Sequence, residues 1–131
     1  MEQITWKDFE KVELRVGTIV EVEDFPQARE PAYKLKIDFG ELGIKRSSAQ
    51  IKDLYSKEEL LGKQIVGVVN FPPKQIATFL SEVLTTGFYL PTGEVVLLHP
   101  ERKFPMDLNS VNLQQKWRGT CSHHGGVAKW L

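Results

Sequence analysis

Cysteine is nearly absent from this 131-residue chain. Cys121 stands alone, so no internal disulfide can form and a reducing compartment is expected. Net charge is absent too. Lys and Arg number 17 and Asp and Glu number 17, which excludes a strongly basic field over the whole molecule. Any nucleic-acid site must then come from a local patch. No stretch approaches the roughly 20 apolar residues of a membrane span, so membrane insertion is not expected. The opening MEQITWKDFEKVELR carries acids early and has no apolar core, unlike a secretory signal. The expected compartment is the cytoplasm.

The sets of residues that carry catalysis are missing as well. Cys121, His123 and His124 lie close together, but one thiolate beside two adjacent imidazoles is not a spaced four-ligand set, and there is no CxxC. His99 precedes Pro100 at a strand end and is expected at the surface. Ser47-Ser48 has no nearby histidine and no glycine elbow of the kind a hydrolase serine sits on. No glycine-rich loop cradles a phosphate. No enzyme activity, metal or cofactor is expected.

What remains is an ordinary soluble composition, 41% hydrophobic and 26% charged, on a length that suits one domain with a modest core. Thr5 and Asp8 form a capping pair for a short N-terminal helical turn, with Trp6 and Phe9 directed at something apolar. From Val12 to Glu23 the residues alternate. Val12, Leu14, Val16, Val20 and Val22 fall in one set, and Glu13, Arg15, Gly17, Ile19, Glu21 and Glu23 in the other. Gly17 suggests a bulge or sharp bend. Tyr33, Leu35, Ile37 and Phe39 alternate with Lys34, Lys36 and Asp38. A third strand spans Ile44 to Ile51. Ser56, Glu59 and Gly62 mark the cap, capping box and stop of a compact helix. Ile65 to Val69 is a buried strand. A Pro72-Pro73 corner follows it, and a further strand runs through Ile76, Thr78, Leu80 and Val83-Leu84. Phe88 to Thr92 is expected as a loop and Gly93 to Leu98 as the last strand.

Three strands, a helix and then two or more strands is the order of an OB-fold. That is an all-β, five-stranded Greek-key barrel with a short helix between strands three and four. Residues 1–103 form this domain. Residues 104–131, rich in Asn, Gln, Ser and Gly with no apolar period, form a C-terminal extension expected to pack loosely or stay unstructured.

OB-folds bind through one sheet face and its loops. Lys34, Lys36, Lys45 and Arg46 fall on two strands joined by a short turn, and are expected to share one surface, either as a binding patch or as a solvated face. Asn70, Lys74, Ser81 and Glu82 cluster at the Pro-Pro corner. Lys and Arg suit phosphates, while Ser48, Asn70 and Ser81 suit base edges or sugar hydroxyls. Phe71 and Phe79 either stack bases or pack the barrel core, the core being the commoner fate. An apolar patch with a polar rim would instead suit extended peptide.

DFEKVELRVGTIVEVEDFPQAREPAYKLKIDFG, then KRSSAQI, then LLGKQIVGVVNFPPKQIATFLSEVL, together resemble the tRNA-binding domain family over about residues 6–103. Within that family, SSAQI and NFPPKQI are most similar to the CsaA group of export-related chaperones. The resemblance implies a cytoplasmic OB-fold homodimer. It places the family's motif residues on Arg15-Val16-Gly17, Lys45, Ser48, Asn70, Lys74 and Ser81-Glu82. It implies tRNA as partner, gripped by the basic OB-fold face without catalysis. The alternative is an export-related chaperone that binds unfolded preproteins or peptides, with Phe71, Ile76, Phe79 or Tyr33 as candidates to line its groove. Ser48-Ala49 and Ser81-Glu82-Val83-Leu84 replace the Ser-Gly and Ser-Glu-Gly-Met of the tRNA-binding relatives, as in the CsaA group. Phe104-Pro105-Met106-Asp107 replaces that group's usual ending.

Overall fold

The computed structural model describes residues 1–106 of the chain. Cys121, His123, His124 and nearly all of the proposed extension lie outside the described residues. Helix α1, Trp6–Glu10, starts where expected. The Thr5 hydroxyl accepts from the Asp8 N–H at 3.1 Å, and the Asp8 carboxylate accepts from the Thr5 N–H at 3.0 Å. Trp6 and Phe9 pack on each other with ring centroids 5.6 Å apart.

Five antiparallel strands build the barrel. Strands β1 (Leu14–Asp24), β2 (Tyr33–Asp38) and β3 (Ile44–Ala49) run in sequence. Helix α2 (Lys57–Leu60) follows with its Ser56/Glu59 capping box, and Gly62 supplies the left-handed stop at φ +86°. Strand β4 (Gln64–Val68) pairs with β1 on one side and with β7 (Leu84–Thr85) on the other. Between β4 and β7 the chain leaves the barrel as a separate small hairpin, β5 (Lys74–Ile76) with β6 (Phe79–Ser81). The Pro-Pro corner therefore does not join two barrel strands, as the sequence pattern suggested; it launches this hairpin. Strands β8 (Gly87–Tyr89) and β9 (Val95–Leu97) form a second ribbon, so Phe88 and Tyr89, expected in a loop, are paired.

The barrel closes between β3 and β7. The Arg46 carbonyl accepts from the N–H groups of Glu82 (2.8 Å) and Val83 (3.3 Å). The fully buried Ser47 hydroxyl donates to the Val83 carbonyl at 3.0 Å and sits 2.8 Å from the Thr85 hydroxyl. A buried polar side chain is tolerated because it is satisfied at this seam. The core is a cluster that includes Ile19, Leu35, Ile37, Phe39, Leu60 and Ile65.

Strand β1 departs from its expected phase. Ile19, not Val20, is buried, and Val20 is 43% exposed. The register shift falls between Ile19 and Glu21, not at Gly17. One extra residue, Val20, inverts the inward and outward sets, so that Val22 turns in and Glu21 and Glu23 turn out. Gly17 has a different task. A Cβ there would lie 2.5 Å from Ile37 Cγ2 and 2.7 Å from Phe39 Cε1. Together with Gly67 on β4 it makes the slot that the Phe39 ring fills.

Candidate nucleic-acid interface

Alternation and pairing place most of the expected site residues on the outer face of β2 and β3. Directly opposed residues share a face, so Lys34 lies beside Ser48, and Lys36 beside Arg46. From β1, Glu23 faces Lys34 and Glu21 faces Lys36. Beyond β3, the Ser48 N–H donates to the Ser81 hydroxyl at 3.0 Å, and Ser81 pairs with Lys74 across the β5–β6 hairpin. Two transverse rows result: Glu23, Lys34, Ser48, Ser81, Lys74; and Glu21, Lys36, Arg46, Glu82. Six of the eight expected residues are brought together.

Two are not. Lys45 opposes Ile37 and shares the inward phase of Ser47, so it does not lie on the same face as Arg46 next to it. Two consecutive residues of a strand point to opposite faces. Asn70 lies at the far end of β4, and its amide is consumed there. It accepts from the Glu13 N–H at 3.0 Å and donates to the Lys11 carbonyl at 2.6 Å, tying the segment after α1 to the barrel.

The face is largely compensated. Lys34 Nζ lies 3.6 Å from Glu23, Lys36 Nζ lies 3.5 Å from Glu21, and Arg46 Nε lies 3.3 Å from Glu82. Neither Lys45 nor Lys74 forms an ion pair among the described residues. Burial works to raise the Glu82 carboxyl. Hydrogen bonds from the Arg46 N–H and guanidinium, with the charges of Arg46 and Lys45, outweigh it and hold Glu82 below its ordinary 4.5. The carboxylates of Glu21 and Glu23 were missed as members of this surface. The sequence carried no signal for this, because the pairing depends on the register shift between Ile19 and Glu21.

Aromatics sit on the same side. Phe79 packs edge-on against Phe25 at 5.4 Å, with the Arg46 guanidinium 5.8 Å from the Phe79 ring and the Lys34 ammonium 5.6 Å from the Phe25 ring. Phe79 therefore lies outside the barrel core. Phe71, at 55% exposure, does too, whereas Tyr33 is buried and donates its hydroxyl to the Tyr55 carbonyl. A groove of about 710 Å³ adjoins the first row and is lined by Ser48, Phe71, Ile76, Lys74, Ser81 and Glu82, among others. A larger concavity of about 930 Å³, between the start of β4 and residues 99–106, holds none of the eight expected residues. His99, as expected, is at the surface, its ring beside the Pro100 carbonyl. Among the described residues, no group of three or more His, Cys, Asp or Glu could hold a metal, and no helix is long and apolar enough to cross a membrane.

The family model described as "Putative tRNA binding domain" matches residues 14–107, most of the barrel and both outer ribbons. The chain belongs to the tRNA-binding domain family. Among solved structures, the chaperone CsaA of Bacillus anthracis superposes with a TM-score of 0.78 at 48% identity. It covers 86% of this chain and 99% of that one. The CsaA chaperone protein of Picrophilus torridus gives 0.74 at 56% identity, over 80% and 97%. The methionine–tRNA ligase of Flavobacterium psychrophilum is 34% identical over 100 residues, which is 76% of this chain and 14% of that protein. The chain thus spans about one-seventh of the length of the curated relatives it matches.

Proposed function

We propose that this protein binds tRNA without catalysing a reaction, as a domain of the CsaA type. The observation that carries the reading is the surface built by Lys34, Lys36, Arg46, Ser48, Ser81 and Lys74 on the outer face of the barrel of a tRNA-binding domain. Four cations lie there against three carboxylates, so phosphate contacts are few. Fit to the shape of structured RNA and contacts to sugar hydroxyls carry the remainder. A gel-shift titration with bulk tRNA at several salt concentrations tests this. Saturable binding is expected, with log K falling against log salt no more steeply than a slope of about −3.6, the limit for four phosphate contacts. Lys34→Glu with Lys36→Glu should weaken it. Wild-type binding by that folded variant would remove the site.

Chaperone action on unfolded preproteins or peptides is not favoured. The matching family is described by tRNA binding, and the curated relatives are methionine–tRNA ligases. Two further readings belong here. The protein works in the cytoplasm, where tRNA is, with residues 104–131 as an extension beyond the domain. It also works as a homodimer. Phe88 and Val96 oppose each other on one face of the β8–β9 ribbon and remain exposed, at 66% and 40%, with Leu90 and Leu98 exposed beside them. Such a strip suits a second copy. Sedimentation should give the dimer mass for the wild type and the monomer mass for Phe88→Asp. A monomeric wild type removes this part.

A further inference from the structure

We propose that the groove beside Ser48 takes a single unstacked nucleotide of the RNA, and that Glu82 selects a base carrying an exocyclic amine over uracil. The proposal rests on the tRNA-binding reading and deepens it.

Several features of the groove converge on this ligand. Its volume of about 710 Å³ falls within the roughly 300–1,000 Å³ of small-ligand sites. That admits one splayed nucleotide but not a helix. Its lining brings together two aromatic side chains from different elements: Phe71 from the β4–β5 loop, 55% exposed, and Tyr89 from β8, 77% exposed. Rings left this open are available to stack on a base. A base inside a duplex has no face to offer them, so the partner must be unpaired. Lys74, at the rim, has no carboxylate partner among the described residues and suits the nucleotide's phosphate. The Ser48 hydroxyl and the Gln50 amide also line the groove and make no hydrogen bond to the described residues. They suit the ribose hydroxyls and the base edge.

Glu82 sets the choice of base. Its Oε1 is held by the Arg46 backbone N–H at 3.0 Å and the Arg46 Nε at 3.3 Å, while Oε2 has no partner among the described residues. A carboxylate fixed in a groove only accepts hydrogen bonds. It accepts from the amino group of cytosine, adenine or guanine, whereas uracil offers only its N3–H, flanked by two carbonyl oxygens that the carboxylate opposes. The same negative charge keeps phosphate away from the groove floor and directs it to Lys74 at the rim.

The test uses the full chain and fluorescein-labelled oligoribonucleotides followed by anisotropy: eight-residue oligo(C), oligo(A) and oligo(U), with a self-complementary RNA duplex. Bulk tRNA and a reduced, carboxymethylated unfolded polypeptide are run beside them. The expected result is that oligo(C) and oligo(A) bind about tenfold or more tighter than oligo(U). Phe71→Ala and Tyr89→Ala, both at exposed positions, should each weaken oligo(C) by about fivefold or more while thermal unfolding is unchanged. Glu82→Gln, which can donate as well as accept, should erase the preference over oligo(U). If tRNA binds while no oligonucleotide does, or both alanine variants bind oligo(C) as the wild type does, the nucleotide groove is overturned and the tRNA reading stands. If neither tRNA nor any oligonucleotide binds, both fall. If the unfolded polypeptide alone is lost in the alanine variants, the groove belongs to polypeptide and the proposal is overturned.

Discussion

Replacing Glu21 and Glu23 by Gln should make this protein bind tRNA more tightly. The two carboxylates hold Lys36 at 3.5 Å and Lys34 at 3.6 Å, and the four side chains are between 30% and 56% exposed. Exposed pairs of this kind contribute about 0.2–1 kcal/mol each. A lysine that turns to a phosphate must give up its carboxylate first, so wild-type binding forfeits about 0.4–2 kcal/mol over the two pairs. Removing the acids removes that cost, and affinity should rise roughly two- to thirtyfold, at about 1.4 kcal/mol per decade. The folded state loses the same stabilisation, so the melting temperature falls by roughly 1–10 °C. The assay is a tRNA titration at low and moderate salt, with Glu2→Gln plus Glu101→Gln as control. That control changes net charge equally at exposed positions outside the two rows. Affinity that fails to rise in the Glu21/Glu23 variant, or rises equally in the control, would refute the placement of RNA on this face.

Other outcomes follow from the core and its seams. Gly17→Ala forces a Cβ to within 2.5 Å of Ile37 Cγ2 and should cost about 1–3 kcal/mol in denaturant unfolding; a neutral result would mean that the Phe39 slot gives way easily. Ser47→Ala leaves the Val83 carbonyl at the closing seam without its donor and should cost about 1–3 kcal/mol, read as a lower melting temperature. Asn70→Ala should lower stability by loosening the Lys11–Glu13 segment while leaving tRNA affinity intact, because its amide is spent on backbone groups. Asp24 is held below its ordinary 3.8, first by the hydrogen bond from Lys57 and then by that from Lys52, and Lys57 is raised above 10.5, chiefly by Asp24. The stability this adds is present above 3.8 and disappears as pH falls through the lower folded value of Asp24. It disappears again as pH rises past 10.5 through the raised value of Lys57. Asp24→Asn should therefore match the wild type at both extremes and be less stable between them. A difference between the two proteins that stays constant across pH would rule this out.

The local elements and the fold class were legible in the chain, because each is written in nearest-neighbour chemistry. The Thr5/Asp8 and Ser56/Glu59 capping boxes formed where those residues stand. The alternation of Tyr33, Leu35, Ile37 and Phe39 is the buried face of β2. The order of elements was enough for an OB barrel, since few topologies fit three strands, a helix and further short strands. Tertiary structure decided what depends on partners distant in sequence. A one-residue bulge at Val20 determined which face of β1 carries its acids, and nothing within the strand itself reveals it. Cross-strand register then set Glu21 and Glu23 against Lys36 and Lys34, turning an apparently basic patch into a nearly neutral one. Strand phase took Lys45 away from Arg46, and the hairpin launched by Pro72-Pro73 brought Lys74 and Ser81 to Ser48. Sequence periodicity states which residues share a face of their own strand. Which charges meet across strands is settled only when the barrel closes.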